Sequence, residues 1–300
     1  MEVLIQVKEQ IKIYVSEVND KRSLELLDLL ATGKMLRSKL ILKIAGVNEK
    51  SIKLCAIVEM IHAASLLHDD VIDEADTRRG KPSINAMFDD KTAIMFGDVL
   101  YSKAFTELTS MPKEIAYSVS NAVTLLSVGE MLDVDLGKTF NTDFDKYFDM
   151  IYKKTGSLIE AAATSAALLS GKNHEQFAKY GRCLGLAFQM IDDILDITSD
   201  SATLGKPAMN DFVEGKVTIP YLLTYAKLEK QDQEKLESMY LKKLNDEEQA
   251  WIKEKMNETQ GLQKSIDLAK RYGSEALRAI ENENNPDLEN IMKQMIERDF

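Results

Sequence analysis

The chain has 300 residues, 49 acidic against 38 basic, for a formal net charge of −11; 45% of its residues are hydrophobic and 29% charged. Those proportions are those of a globular protein and exclude a disordered tail, a collagen-like repeat and a disulfide scaffold. The acidic sum argues against a nucleic-acid binder, whose footprint is basic.

Glycine (14) and proline (5) are scarce, and residues 1–81 contain no proline. Proline breaks helix interiors and glycine weakens them, so the composition points to helix. The N-terminal segment lacks a basic region followed by an apolar stretch, so no secretory signal is read there. Apolar residues crowd Ser51–Val71 at Ile52, Cys55, Ala56, Val58, Met60, Ala63, Ala64, Leu66 and Leu67. So little polar face remains that this helix is expected at the centre of the fold. Lys113–Leu136 and Ser157–Leu169 read as two more apolar helices, and Ala178–Ile197 as another central one. From Gln231 to Arg278 the chain is rich in Lys, Glu and Gln, with apolar residues sparsely spaced at Leu236, Met239, Leu244, Ile252 and Met256. That pattern predicts surface helices covering a core. The stretches Ala75–Ser83, Leu136–Asp143 and Thr198–Gly215 carry glycine, charge or proline and are expected to be non-helical. No run alternates apolar and polar residues between turn signals, so no strand is expected. The expected fold is all-α, one domain over 1–300, with 231–300 as its covering helices. No membrane span is expected; the best candidate, around Ile159–Leu169, is interrupted by Glu160 and rich in Ala, Thr and Ser. Cys55 and Cys183, far apart among apolar neighbours, read as buried filler in a reducing, cytoplasmic setting.

Two carboxylate clusters stand out. Asp69-Asp70-Val71-Ile72-Asp73 and Asp192-Asp193-Ile194-Leu195-Asp196 share the pattern Asp-Asp-x-x-Asp, and each follows an apolar helical run. Positions i and i+4 share a helix face, so Asp69 and Asp73 are expected to point together, as are Asp192 and Asp196. Like charges at that spacing repel, and a cation removes the cost. Carboxylates without nearby His or Cys suit a hard ion, Mg²⁺ or Mn²⁺, which Mg²⁺ sites commonly share with substrate phosphates. One copy alone is most often a solvated helix end; two, each leaving an apolar helix, need a reason. Cations gather nearby in sequence: Arg78-Arg79-Gly80-Lys81, Gly33-Lys34-Met35-Leu36-Arg37, Lys153-Lys154-Thr155-Gly156, Lys206 and Lys216. Lys34 and Arg37, three apart, are expected on one helix face. Arginine suits phosphate because its fork donates two parallel hydrogen bonds.

The run Val58–Asp73 followed by Arg78-Arg79-Gly80 resembles the first aspartate-rich region of trans-polyprenyl diphosphate synthases, and Gly185–Asp196 resembles their second. Gly33-Lys34-x-x-Arg37, Lys154-Thr155-Gly156 and Gly205-Lys206 fall in the family's order, so the resemblance covers about residues 33–220. It implies an all-α bundle around a deep cavity, usually a homodimer, that condenses isopentenyl diphosphate repeatedly onto an allylic diphosphate such as farnesyl diphosphate. It implies Mg²⁺ (about three ions with the allylic diphosphate bound; Mn²⁺ is an alternative) on Asp69, Asp73 and Asp192, with Asp70, Asp193 and Asp196 as partial or outer ligands. It places Arg78, Lys154, Lys206 and, more weakly, Lys216 on the allylic diphosphate. Lys34, Arg37, His62 and Arg79 fall on isopentenyl diphosphate, Thr155 and Gln189 near the reacting carbons, and Arg298 on a further diphosphate contact. His62, read alone, is a satisfied core histidine; the resemblance reverses that. His68 reads as structural and His174 as a surface residue. Ala64 and Ser65, five and four residues before Asp69, are small where a bulky aromatic stops chain growth in this family. The expected product is therefore long, hexaprenyl to octaprenyl, with the cavity floor near Leu125, Leu126 and Met131. Other readings are a shorter-chain farnesyl or geranylgeranyl diphosphate synthase, a terpene cyclase, a non-catalytic partner subunit and an acidic helical scaffold. The full second cluster counts against a cyclase, and the six retained aspartates count against an inactive subunit.

Overall fold

The computed structural model describes residues 2–31, 33–198 and 208–296. Regular structure among them is helical apart from one two-residue strand pair. The helices are α1 (Glu2–Ser16), α2 (Lys21–Leu29), α3 (Leu36–Ala45), α4 (Glu49–Ile72), α5 (Ile84–Met87), α6 (Asp90–Leu108), α7 (Lys113–Leu136) and α8 (Phe144–Ile151). They continue as α9 (Ser157–Ser170), α10 (His174–Thr198), α11 (Asn210–Val213), α12 (Ile219–Tyr225), α13 (Lys230–Met239), α14 (Asp246–Glu258), α15 (Gly261–Ala279) and α16 (Pro286–Ile296). The chain folds into two compact units, residues 1–123 with 158–178, and residues 124–157 with 179–300.

In the first unit α4 is the central element. It starts at a reciprocal cap: the Asn48 side chain accepts from the Ser51 backbone N–H, and the Ser51 hydroxyl accepts from the Asn48 N–H. Such a box satisfies two of the donors a helix start leaves unpaired. Leu54, Cys55, Ala56, Ile57, Val58, Met60, Ile61, Ala64 and Leu67 are buried as α4 packs against α1, α3 and α6. The helix therefore has apolar residues almost all round, as its sequence predicts. His68 helps fasten α6: its Nε2 lies 3.1 Å from the Ile94 carbonyl, and its ring packs so close to Gly97 that a Cβ there would meet Nε2 at 2.3 Å.

In the second unit the core gathers Tyr147, Met190, Ile191, Phe212, Tyr221, Leu222 and the apolar residues of the C-terminal helices. Leu236, Met239, Leu244, Ile252 and Met256 are all buried, so the sparse apolar positions form one covering face. Cys55 and Cys183 are both buried, and His174 is exposed at the start of α10.

Three expectations are corrected. Lys34 does not share a helix face with Arg37: Met35 adopts a left-handed conformation (φ 50°), and α3 begins only at Leu36. The apolar helix read from Ser157 is α9, and Tyr152–Gly156 leads into it from α8 as a π-helical turn. Residues 77–82 form a short antiparallel pair, with Thr77 opposite Pro82 and Arg78 opposite Lys81. Its two turn residues, Arg79 (φ 54°) and Gly80 (φ 72°), are both left-handed, as the tightest hairpins require. Finally, α4 and α7 reach the length and mean hydropathy of membrane candidates, which no segment was expected to do; 56% of the α4 window and 33% of the α7 window is buried. Both carry acidic residues, Glu59, Asp69 and Asp70 in one and Glu130, Asp133 and Asp135 in the other.

Candidate active site

In the first unit the acidic cluster closes α4. Asp69 and Asp70 stand in its last turn, and Asp73 is its C-terminal cap, exposed to solvent. One residue apart on a helix means about 100° of rotation, so Asp70 turns further inward than the partly buried Asp69. Asp70 is 4% exposed, and Arg78 donates to its Oδ1 while also lying 3.3 Å from Asp69 Oδ2. Burial raises the Asp70 pKa; the Arg78 hydrogen bond and charge oppose the shift, and Asp69 and Asp73 reinforce it. For Arg78, burial disfavours the charge, but the two aspartates more than offset it and the net shift is upward.

Next to this pair lies a concentration of positive charge. The Arg79 Nη1 donates to the Ala31 carbonyl at 3.1 Å, and its guanidinium rests on Gly33, where a Cβ would come within 2.5 Å. A side chain at position 33 would have to displace the Arg79 guanidinium from this seat. Arg37 Nε is buried with no hydrogen-bond partner, and burial lowers its pKa to about 10, with Glu59 opposing and Arg79 assisting. A buried N–H without a partner is rare in native proteins and needs an explanation. His62 is held neutral by burial and by Arg37, Arg79 and Arg78, its pKa falling well below the usual value. Three arginines around one neutral histidine repel one another, and a polyanion relieves that repulsion. Lys34 is exposed just ahead of α3. Ala64 is fully buried, and the Ser65 hydroxyl donates to the His62 carbonyl.

In the second unit the corresponding cluster lies inside α10, which runs on to Thr198. Asp192 is partly exposed; Asp193 and Asp196 are buried at 3% and 2%. Asp196 accepts from the Asp211 backbone N–H, and its own carbonyl accepts from Met209 N–H. Asp193 accepts from the Tyr147 hydroxyl and from Gln189 Nε2 at 2.9 Å. Gln189 Oε1 in turn accepts from Thr155 Oγ1 at 2.8 Å. Burial pushes Asp193 up to about 8, Asp211 and Asp192 adding to the shift and its two donors opposing it. Lys154 donates to Asp133 Oδ2 at 2.6 Å and to Glu130 at 3.1 Å. Glu130 and Asp133 were missed in the sequence; their signal is a Glu-x-x-Asp pair, one helix turn apart on an otherwise apolar helix. Tyr147 was also missed, and nothing local marks it. Lys216 lies 3.1 Å from Glu214. Met131, expected near a cavity floor, is 67% exposed; Leu126 is buried. Lys206, Gly205 and Arg298 lie outside the described residues.

The π turn is what presents Lys154 and Thr155. A π turn holds one more residue than an α turn and rotates those around it, and such turns recur at functional sites. Glycines flank it: a Cβ on Gly129 of α7 would lie 2.2 Å from the Lys154 nitrogen, and one on Gly185 of α10 would lie 2.6 Å from Gly156 Cα.

No group of three or more metal-ligating side chains is preassembled among the described residues. The candidate donors Asp69, Asp73 and Asp192 are carboxylates. That donor set fits Mg²⁺, which takes one or two protein carboxylates and completes its shell with water and substrate phosphates.

Comparison with known proteins gives one answer. Residues 23–259 match the family model described as polyprenyl synthetase. A short chain isoprenyl diphosphate synthase from Methanothermobacter thermautotrophicus is 35% identical over 245 residues, 77% of this chain and 75% of that one. The octaprenyl diphosphate synthase of Escherichia coli is 41% identical over 175 residues, 57% of this chain and about half (54%) of that enzyme. Octaprenyl pyrophosphate synthase from Helicobacter pylori superposes with a TM-score of 0.94 at 44% identity, covering 99% of each chain. A polyprenyl synthase from Caulobacter crescentus, solved with calcium and isoprenyl diphosphate, superposes at 0.89 with 30% identity, covering 99% of this chain and 95% of that one.

Proposed function

The chain belongs to the polyprenyl synthetase family, and on that premise we propose that it is a trans-prenyltransferase adding isopentenyl diphosphate units to an allylic diphosphate to make a long all-trans polyprenyl diphosphate. The observation that carries this reading is the Arg37–Arg78–Arg79 concentration around neutral His62, beside the paired carboxylates that end α4. Repelling cations with a buried, unpartnered N–H are what a diphosphate satisfies.

Asp69, Asp73 and Asp192 hold Mg²⁺, with Asp70, Asp193 and Asp196 kept in place by protein partners behind them. Bound Mg²⁺ stabilises negative charge on the departing diphosphate as a Lewis acid. Arg78 and Lys154, with Lys206, bind the allylic diphosphate; Lys216 is a weaker member of this set. Lys34, Arg37, His62 and Arg79 bind isopentenyl diphosphate. His62, uncharged, contributes hydrogen bonding without adding to the arginine repulsion. The Thr155 hydroxyl donates to Gln189, which leaves the Thr155 lone pairs free to face positive charge developing on the allyl group. Condensation joins the allylic carbon to the isopentenyl double bond, releases diphosphate and loses one proton.

The primer is farnesyl diphosphate and the product is of hexaprenyl to octaprenyl length, in keeping with small Ala64 and Ser65. The enzyme acts in the cytoplasm as one synthase domain, paired as a homodimer. Ile94 (41%), Met95 (60%) and Phe105 (37%) on α6, and Tyr117 (71%), Val128 (38%), Met131 (67%) and Val134 (45%) on α7, are exposed apolar side chains that support a second copy as the partner. The test is incubation with labelled isopentenyl diphosphate, farnesyl diphosphate and Mg²⁺, followed by sizing of the products. A ladder ending between hexaprenyl and octaprenyl is expected. Products ending at geranylgeranyl length would overturn the long-chain assignment; no elongation would overturn the activity.

A further inference from the structure

Four side chains of the second unit form one hydrogen-bonded line: Tyr147 of α8, Asp193 and Gln189 of α10, and Thr155 of the π turn. The line has a direction. Asp193 accepts twice, once on each oxygen, from the Tyr147 hydroxyl and from Gln189 Nε2. Presenting its NH₂ to Asp193 obliges Gln189 to turn its carbonyl oxygen to Thr155. Thr155 then has to donate, so its lone pairs are the part left over. Each orientation depends on the one before it, and the line begins at Tyr147.

The Tyr147 ring is fixed independently of its hydroxyl. The residue is 1% exposed, its ring meets Phe148 edge to face at a centroid distance of 5.3 Å, and it belongs to the second unit's core. A phenylalanine keeps that packing and removes one oxygen. Asp193 would then lose the donor on Oδ2 and be free to rotate. Gln189, no longer held from one side, could turn its amide end over and present NH₂ to Thr155.

We propose that Tyr147 is a positioning residue for the condensation, fixing through Asp193 the orientation of the Gln189 amide and hence of the Thr155 hydroxyl. This rests on the prenyltransferase reading above and deepens it, because it assigns work to a residue with no direct route to substrate. A purely structural hydroxyl would stabilise the fold without changing which way Gln189 points.

The test is a double-mutant cycle on a single condensation, with Y147F, T155V and the double variant assayed beside the wild type. Thermal melts choose an assay temperature at which every variant is folded. Y147F is expected to lower kcat about 10–100-fold, the scale for a misplaced catalytic group, with KM for both diphosphates and the Mg²⁺ requirement within about threefold of wild type. The double variant is expected within about threefold of T155V alone, because both changes cut one line. A Y147F kcat within twofold of wild type, a defect erased by raised Mg²⁺, or multiplying defects in the double variant would each overturn the proposal. Absence of elongation by the wild type would instead refute the activity on which it rests.

Discussion

Replacing Gly129 with alanine tests whether the π turn is held where the chemistry needs it. The added Cβ would stand 2.2 Å from the Lys154 nitrogen and 2.7 Å from Lys153 C and Lys154 Cα. All three atoms are backbone, so no rotamer change gives relief. Reaching an ordinary contact of about 3.4 Å requires α7 and the turn to separate by about 1 Å. Overpacking of this kind costs about 1–3 kcal/mol, against a gain of about 1 kcal/mol from replacing a helical glycine. The net loss of about 0–2 kcal/mol corresponds to a melting point lower by at most about 8 °C, at about 2–4 °C per kcal/mol. The larger effect falls on turnover. Lys154 and Thr155 move with the turn, and a displacement of about 1 Å at a reacting centre can cost about 100-fold. Gly97→Ala is the comparison: its Cβ meets the His68 imidazole, a side chain that can swing away, losing the 3.1 Å contact with the Ile94 carbonyl. Calorimetry and kcat are measured on both variants. A G129A enzyme that melts like the wild type and turns over within twofold of it would refute a rigid, catalytically placed turn.

Asp69→Ala and Asp192→Ala are each expected to lower kcat by about 10³-fold or more while the chain stays folded; near-normal turnover at saturating Mg²⁺ in either would refute the metal roles. Ala64→Phe, at a fully buried position, is expected to shift the product ladder to shorter chains, and an unchanged ladder would remove this site from chain-length control. His62 is held neutral in the native state while the unfolded chain takes up a proton near pH 6.5. Its share of stability is therefore fully present above about pH 6.5 and declines as pH falls below it. Urea denaturation between pH 7 and pH 5 should show His62→Gln losing less stability on acidification than the wild type; parallel curves would mean that His62 is not held neutral.

The long helices were legible because their signals are local. Density of apolar residues marks α4 and α10 as central, and Lys113–Leu136 has the bounds read from its pattern. The arginine concentration was half legible from residue spacing: Arg78 and Arg79 adjoin the acidic cluster, whereas Arg37 and His62 were grouped with Arg79 through the family resemblance alone. The π turn was not legible. It adds one residue to a turn, which shifts the apolar period too little to register over five residues. Lys34 misled for a related reason. Spacing of three implies a shared face only where a helix exists, and left-handed Met35 ends that condition. Tyr147 carries no sequence signal, because its meaning lies wholly in a partner 46 residues away.

The two aspartate motifs share one pattern, Asp-Asp-x-x-Asp, and are unequal in structure, and helix geometry explains the difference. In each, the second aspartate is rotated by about 100° from the first and turns toward the interior. There it meets a donor supplied by another segment, Arg78 for Asp70 and Tyr147 for Asp193. Burying a carboxylate without such a partner would cost several kcal/mol, so the donor is part of what the repeated pattern requires. The fifth positions then diverge. Because α4 stops at Ile72, Asp73 caps the helix and remains exposed; because α10 continues to Thr198, Asp196 stays buried and is met by the Asp211 backbone. An exposed carboxylate can move to meet a cation, whereas a buried, hydrogen-bonded one cannot move without breaking its contacts. On the proposed function, exposed Asp73 is the carboxylate placed to adjust to a bound cation, while Asp193 and Asp196 are held by their partners. The net charge of −11 hides this division. It counts all six aspartates alike, while the fold buries Asp70, Asp193 and Asp196 against protein donors.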